Sequence, residues 1–199
     1  MSSLYWFFRN TFLVFFKVFN RLKVTGSENV PGTGGVVVAV NHASYLDPLV
    51  MGAALKRRAT YMAREGLFKI PAIGEFVRSF SFPVRRDRPQ PSTIKEAVRR
   101  LKAGELIVMF PEGGRSVGGG ILDAKRGVAV IAALGRVPVV PALISGTEVS
   151  LPVGSRLLRP AKITVIFGRP LGVGRGETDR EYQERICKDI MDTIKKLKS

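Results

Sequence analysis

The sequence has one cysteine and one histidine in 199 residues. A lone Cys187 excludes an intrachain disulfide framework and fits a reducing compartment. With His42 as its only companion, it also excludes a structural zinc site of the usual Cys/His type. Acidic side chains are scarce, 16 against 32 Lys and Arg, and none precedes Glu28. The resulting net charge of +16 implies an anionic partner: nucleic acid, a membrane surface or a phosphorylated substrate. Apolar residues make up 45% and charged residues 24%, which excludes wholesale disorder and suits one domain with a substantial core. The final 26 residues are nearly balanced in charge, so the anionic partner is met elsewhere.

A membrane-spanning run is also missing. About 20 mostly apolar residues are needed to cross a bilayer, whereas Arg9, Lys17, Arg21 and Lys23 interrupt the aromatic N-terminus. A signal peptide fits poorly too, because no basic residue precedes Arg9 and no small-x-small cleavage site follows. Eight of the 17 aromatics lie in the first 19 residues. On a helical wheel Phe8, Phe12, Phe15 and Phe19 share one face while Arg9, Asn10, Lys17, Asn20 and Arg21 gather opposite. Residues 1–24 therefore read as an amphipathic helix lying in an anionic membrane interface with snorkelling cations. The alternative is a soluble helix packed on its own domain.

Beyond the turn at Pro31–Gly35, β-rich runs at Val36–Val40, Thr60–Ala63, Phe82–Arg85, Leu106–Phe110, Val137–Leu143 and Lys162–Phe167 alternate with helical patterns. Thr93-Ile94-Lys95-Glu96 reads as a capping box, and a helix over Lys125–Leu134 should end at Gly135 as its C-cap. Tyr182, Ile186, Ile190, Ile194 and Leu197 mark the inner stripe of a final helix. This alternation predicts an α/β fold over residues 25–199, a largely parallel central sheet flanked by helices.

Three clusters carry chemistry. Asn41-His42-Ala43-Ser44-Tyr45-Leu46-Asp47-Pro48 follows an apolar strand, where ligands bind in such sheets. His42 and Asp47 would sit about 140° apart on a regular helix, so only a sharp strand-to-helix turn could pair them. Paired, the carboxylate would fix the imidazole tautomer and leave Nε2 as a general base. Unpaired, Asp47 would simply cap a helix that begins at Pro48. Phe110-Pro111-Glu112-Gly113-Gly114-Arg115-Ser116 closes a second strand. Its glycines allow close backbone approach and Arg115 can fork onto a phosphate. A third cluster is basic: Arg85, Arg86, Arg88, Lys95, Arg99, Arg100 and Lys102, with Lys125 and Arg126 opening the next helix. A nucleic-acid site would interleave these cations with stacking aromatics, which are concentrated instead at the N-terminus, so nucleic acid is not expected.

In this order the residues resemble the PlsC-type glycerolipid acyltransferases, above all the 1-acylglycerol-3-phosphate acyltransferases, from about Gly26 to Gly168. His42-x4-Asp47 resembles the signature block, Phe82–Asp87 the second, Phe110–Ser116 the third and Val137–Pro141 the fourth. Gly114 stands where the family usually has Thr, and Arg85 where Asp is common. The resemblance implies His42 as general base oriented by Asp47, with acceptor binding by Arg86, Glu112, Gly113 and Arg115, supported by Lys125. It implies acyl transfer from acyl-CoA or acyl carrier protein to a lysophospholipid at the cytoplasmic face of a membrane, without metal or cofactor. Glycerol-3-phosphate or another lysolipid is the alternative acceptor. A serine hydrolase built on Ser44 lacks its Gly-x-Ser-x-Gly elbow, and a non-catalytic basic membrane- or nucleic-acid-binding module leaves the strand-end residues unexplained. A dry groove for the acyl chain is expected among Leu46, Leu49, Val50, Leu67, Phe68, Phe76 and Phe80.

Overall fold

The computed structural model describes residues 2–71, 73–84, 90–116, 120–173 and 179–198. Seven strands form one sheet: β1 (Lys23–Thr25), β2 (Val36–Val40), β3 (Ala59–Arg64), β4 (Ser81–Val84), β5 (Leu106–Met109), β6 (Val139–Ser145) and β7 (Thr164–Phe167). Their spatial order is β1-β7-β6-β2-β5-β3-β4, and among the described residues β6–β7 is the one antiparallel pairing between these strands. The Val-Val-Val-Ala-Val run of β2 is fully buried because both faces of the sheet are covered. Val36, Val38 and Val40 enter one core with α1 (Ser2–Phe19) and α2 (Asp47–Ala54). Val37 and Ala39 enter the other with α4 (Pro91–Lys102), α5 (Gly127–Gly135) and α7 (Arg180–Lys196). The short α3 (Ile73–Arg78) and α6 (Thr147–Ser150) complete the chain.

This winding places the site. From β2 the chain passes through α2 on one face of the sheet, whereas from β5 it passes through α5 on the other. β2 and β5 are neighbours, so their carboxyl ends flank a topological switch point, where a crevice opens in open α/β sheets.

Four local readings change in the structure. Pro91, with its fixed φ and no N–H to satisfy, starts α4 after Gln90, so Thr93 is no N-cap and Glu96 turns instead to Arg99 and Arg100. Gly135 stays within α5, and Arg136 takes the left-handed turn at φ 54°. Gly135 answers a packing need: a Cβ there would lie 3.0 Å from Leu101 Cδ1. β1, too short for a periodic signal, joins the sheet from Lys23, so the chain enters the domain directly after α1. The face of α1 that the helical wheel gives to the membrane is largely turned to the domain instead: Phe12 packs against the core, Phe8 and Phe19 are half-buried, and of the four only Phe15 is exposed. Phe16 and Asn20 are buried, Phe8 packs edge-on against Phe76, and Arg9 donates to Leu55 O at 3.0 and 3.3 Å, satisfying the C-terminal end of α2. Leu4, Phe7, Val14, Phe15 and Val18 face outward. The expected strand end at Arg85 lies outside the described residues.

Candidate active site

The turn after β2 is sharp enough to fold His42 back onto Asp47. Nδ1 of His42 lies 2.8 Å from Asp47 Oδ2, which also accepts the peptide N–H groups of Ala43 at 2.7 Å and Ser44 at 2.8 Å. Asp47 is the first residue of α2 and fully buried, and it spends its oxygen on this turn rather than on capping its own helix. Three N–H donors on one carboxylate oxygen hold the turn and the imidazole together. Donation from Nδ1 fixes the tautomer, and Nε2 makes no hydrogen bond among the described residues. The imidazole stacks on Phe110 at 4.0 Å between ring centroids, which sets its plane.

Glu112 arrives from β5 in the register that pairs Val36 with Leu106, which brings positions 42 and 112 side by side. Its Oε1 accepts the His42 peptide N–H at 3.2 Å, and its Oε2 is buried without a hydrogen bond. Burial pushes its pKa up from 4.5 to about 7; the nearby Asp47 charge adds to this, while the peptide N–H groups of His42 and Leu122 pull the other way. Glu112 thus sits behind His42 rather than open to solvent.

Gly113 has φ 72°, which the turn requires of a glycine, and a Cβ there would come within 2.8–2.9 Å of the flexible end of the Lys125 side chain and push it aside. Lys125 is anchored through its peptide N–H to Pro111 O at 2.8 Å. Arg115 stacks on Tyr45 with Cζ 3.5 Å from the ring centroid and makes no hydrogen bond or ion pair among the described residues. Arg86 lies outside the described residues.

Among the described residues neither Ser44 nor Ser116 hydrogen-bonds a ring nitrogen of His42. Ser44 donates to Leu151 O at 2.8 Å and accepts from Leu46 N at 3.2 Å. Ser116, within the string Gly-Arg-Ser-Val-Gly, donates its peptide N–H to His42 O at 2.8 Å and its hydroxyl to the same oxygen at 3.4 Å. Two residues that the sequence did not single out matter here. The amide of Asn41 pairs with both N and O of Ile144 at 2.8 and 2.9 Å, fastening the end of β2 to β6, and Tyr45 carries Arg115. Among the described residues no group of His, Cys, Asp and Glu could hold a metal ion.

A groove of about 710 Å³ runs between α1, α2 and α3, lined by Tyr5, Phe8, Phe12, Leu49, Phe76 and Phe80 and reaching Pro48 beside Asp47. Of the residues expected to line a groove, Leu49, Phe76 and Phe80 do so; Leu46 and Val50 belong to the core, and Phe68 lines a separate cavity with Glu65 and Lys69.

A family model described as Acyltransferase matches residues 21–145. The chain is 35% identical over 170 residues to a 1-acyl-sn-glycerol-3-phosphate acyltransferase of Bacillus subtilis, covering 84% of this chain and 82% of that protein. It is 32% identical over 158 residues to a chloroplastic enzyme of the same name from Arabidopsis thaliana, covering 77% of this chain but 44% of the plant protein. The crystal structure of the 1-acyl-sn-glycerophosphate acyltransferase PlsC from Thermotoga maritima superposes with a TM-score of 0.80 at 28% identity, over 96% of this chain and 78% of that one.

Proposed function

The chain belongs to the Acyltransferase family and is an O-acyltransferase; on that premise we propose that it moves a fatty acyl group from an acyl thioester to the free hydroxyl of 1-acylglycerol-3-phosphate, giving phosphatidic acid. The observation that carries the reading is the 2.8 Å His42–Asp47 contact in the turn after β2, with Arg115 over Tyr45 of the same turn and, like Lys125, making no ion pair among the described residues.

The acceptor hydroxyl gives its proton to His42 Nε2 as its oxygen forms a bond to the thioester carbonyl carbon. Asp47 steadies the imidazolium that results. The peptide N–H groups of Gly114 and Arg115, which make no hydrogen bond among the described residues, are the donors we assign to the developing oxyanion. Collapse breaks the carbon–sulfur bond, and the thiolate takes the proton back from His42. Thioesters are already activated, so no protein nucleophile is required. Arg115 and Lys125, with Arg86, hold the acceptor phosphate and turn encounter into orientation. Glu112 holds the His42 peptide, and Gly113 admits Lys125.

The groove beside Pro48 takes an acyl chain, at about 0.8 kcal/mol for each buried CH₂. Among the described residues no helix is long and apolar enough to cross a membrane. The outward stripe of α1, with Phe7 65% and Val18 78% exposed and Lys17 on its flank, suits a helix lying in an anionic bilayer surface. A labelled acyl-transfer assay of wild type and His42→Ala, offered lysophosphatidate, glycerol-3-phosphate and other lysolipids with acyl-CoA or acyl carrier protein, tests the reading: phosphatidate formation that depends on His42 supports it, and transfer only to another acceptor replaces it.

A further inference from the structure

We propose that Tyr45 determines acceptor specificity by serving as the platform that presents Arg115 to a phosphate monoester. This rests on the reading of Arg115 as a phosphate-binding cation. Among the described residues four other arginines lie over aromatic rings at 5.2–5.8 Å; Arg115 lies over Tyr45 at 3.5 Å. Both partners come from fixed loops. Tyr45 is 57% exposed, yet its neighbours Ser44 and Leu46 are buried and hydrogen-bonded in the catalytic turn. Beside Arg115, Ser116 is pinned to His42 O through its peptide N–H at 2.8 Å.

A guanidinium can be oriented by a carboxylate or by a ring, with opposite consequences. A carboxylate would neutralise the charge and occupy the N–H fork. A ring takes only the face, leaving the charge and the in-plane donors for a ligand. With Lys125 over Gly113 as the second cation, the pair suits a dianionic phosphate on an acceptor whose hydroxyl reaches His42. The aromatic face is what the mechanism needs; the Tyr45 hydroxyl makes no hydrogen bond among the described residues.

The test is steady-state kinetics of the full chain with 1-acylglycerol-3-phosphate as the varied acceptor. Tyr45→Ala and Tyr45→Leu should raise acceptor KM about 3- to 10-fold, with kcat within about 2-fold, and Tyr45→Phe should keep the wild-type KM. On an Arg115→Ala background, Tyr45→Ala should add nothing. Tyr45→Leu performing as well as Tyr45→Phe would reduce the ring to mere packing and overturn the proposal, as would an undiminished Tyr45→Ala effect without Arg115. An unchanged KM for Arg115→Ala alone would remove the phosphate role from the arginine itself and the inference with it.

Discussion

The peptide N–H of His42 and the carboxyl of Glu112 meet at 3.2 Å although 70 residues separate them in the chain. The contact ties the first strand-end block to the third through the register of two adjacent parallel strands. Its carboxyl has a pKa raised to about 7 by burial.

That shift predicts a pH dependence of stability. Both folded and unfolded forms of Glu112 are protonated below about pH 4.5. Between there and about pH 7 the unfolded state ionises while the folded state keeps its proton, so stability falls as pH rises and levels off above the folded value. The full effect is on the order of 3 kcal/mol. Glu112→Gln removes this slope: urea unfolding at pH 5 and pH 8 should show the variant gaining on wild type at the higher pH. A constant difference between the two proteins would contradict the assigned shift.

Gly113 and Gly114 make a paired test of the loop. Gly113→Ala must hold φ 72° and displace Lys125, so it should cost about 1–2 kcal/mol and raise acceptor KM. Gly114→Ala meets nothing within 4 Å, and thermal unfolding should place its stability within about 0.5 kcal/mol of wild type. Equal losses at both positions would contradict this account of the loop.

Asp47→Asn keeps the size of the carboxylate and an oxygen that can accept from the three N–H donors, but removes the negative charge that steadies the imidazolium and sets an amide NH₂ where the buried Oδ1 has no hydrogen-bond partner. It should lower kcat by about 10²–10⁴-fold with little change in acceptor KM. A rise in KM alone would move Asp47 out of the catalytic role.

Phe7→Asp and Val18→Asp together should leave the melting temperature unchanged, because both side chains point away from the domain. Sedimentation with vesicles containing anionic lipid should fall by at least about 10-fold. Removing the whole helix would be a poorer test, since it strips Phe16 and Asn20 from the interior. Undiminished sedimentation of the double variant would place membrane contact elsewhere.

What could be read from the chain divides along physical lines. The five residues of β2 announce a strand buried on both faces, and strand-end blocks in order announce a crevice at the sheet's carboxyl edge. His42 and Asp47 were readable as candidates; that they pair depends on a turn held by the peptide N–H groups of Ala43 and Ser44, which have no side-chain signature. Glu112 read as an acceptor contact because its partner is another strand's peptide, fixed by register alone. Arg9 read as a surface cation because its aliphatic stem and its Leu55 partner appear only once α1 lies on α2. An aromatic helix apolar on most of its circumference can turn the same face to lipid or to its own domain, and only the packing of α1 shows Phe8 and Phe12 turned inward.

The most direct measurement is acyl transfer to 1-acylglycerol-3-phosphate by His42→Ala, alongside its circular dichroism and melting temperature. The structure predicts a folded protein whose kcat falls by about 10²–10⁴-fold; a folded variant that retains near wild-type turnover would contradict His42 as the base.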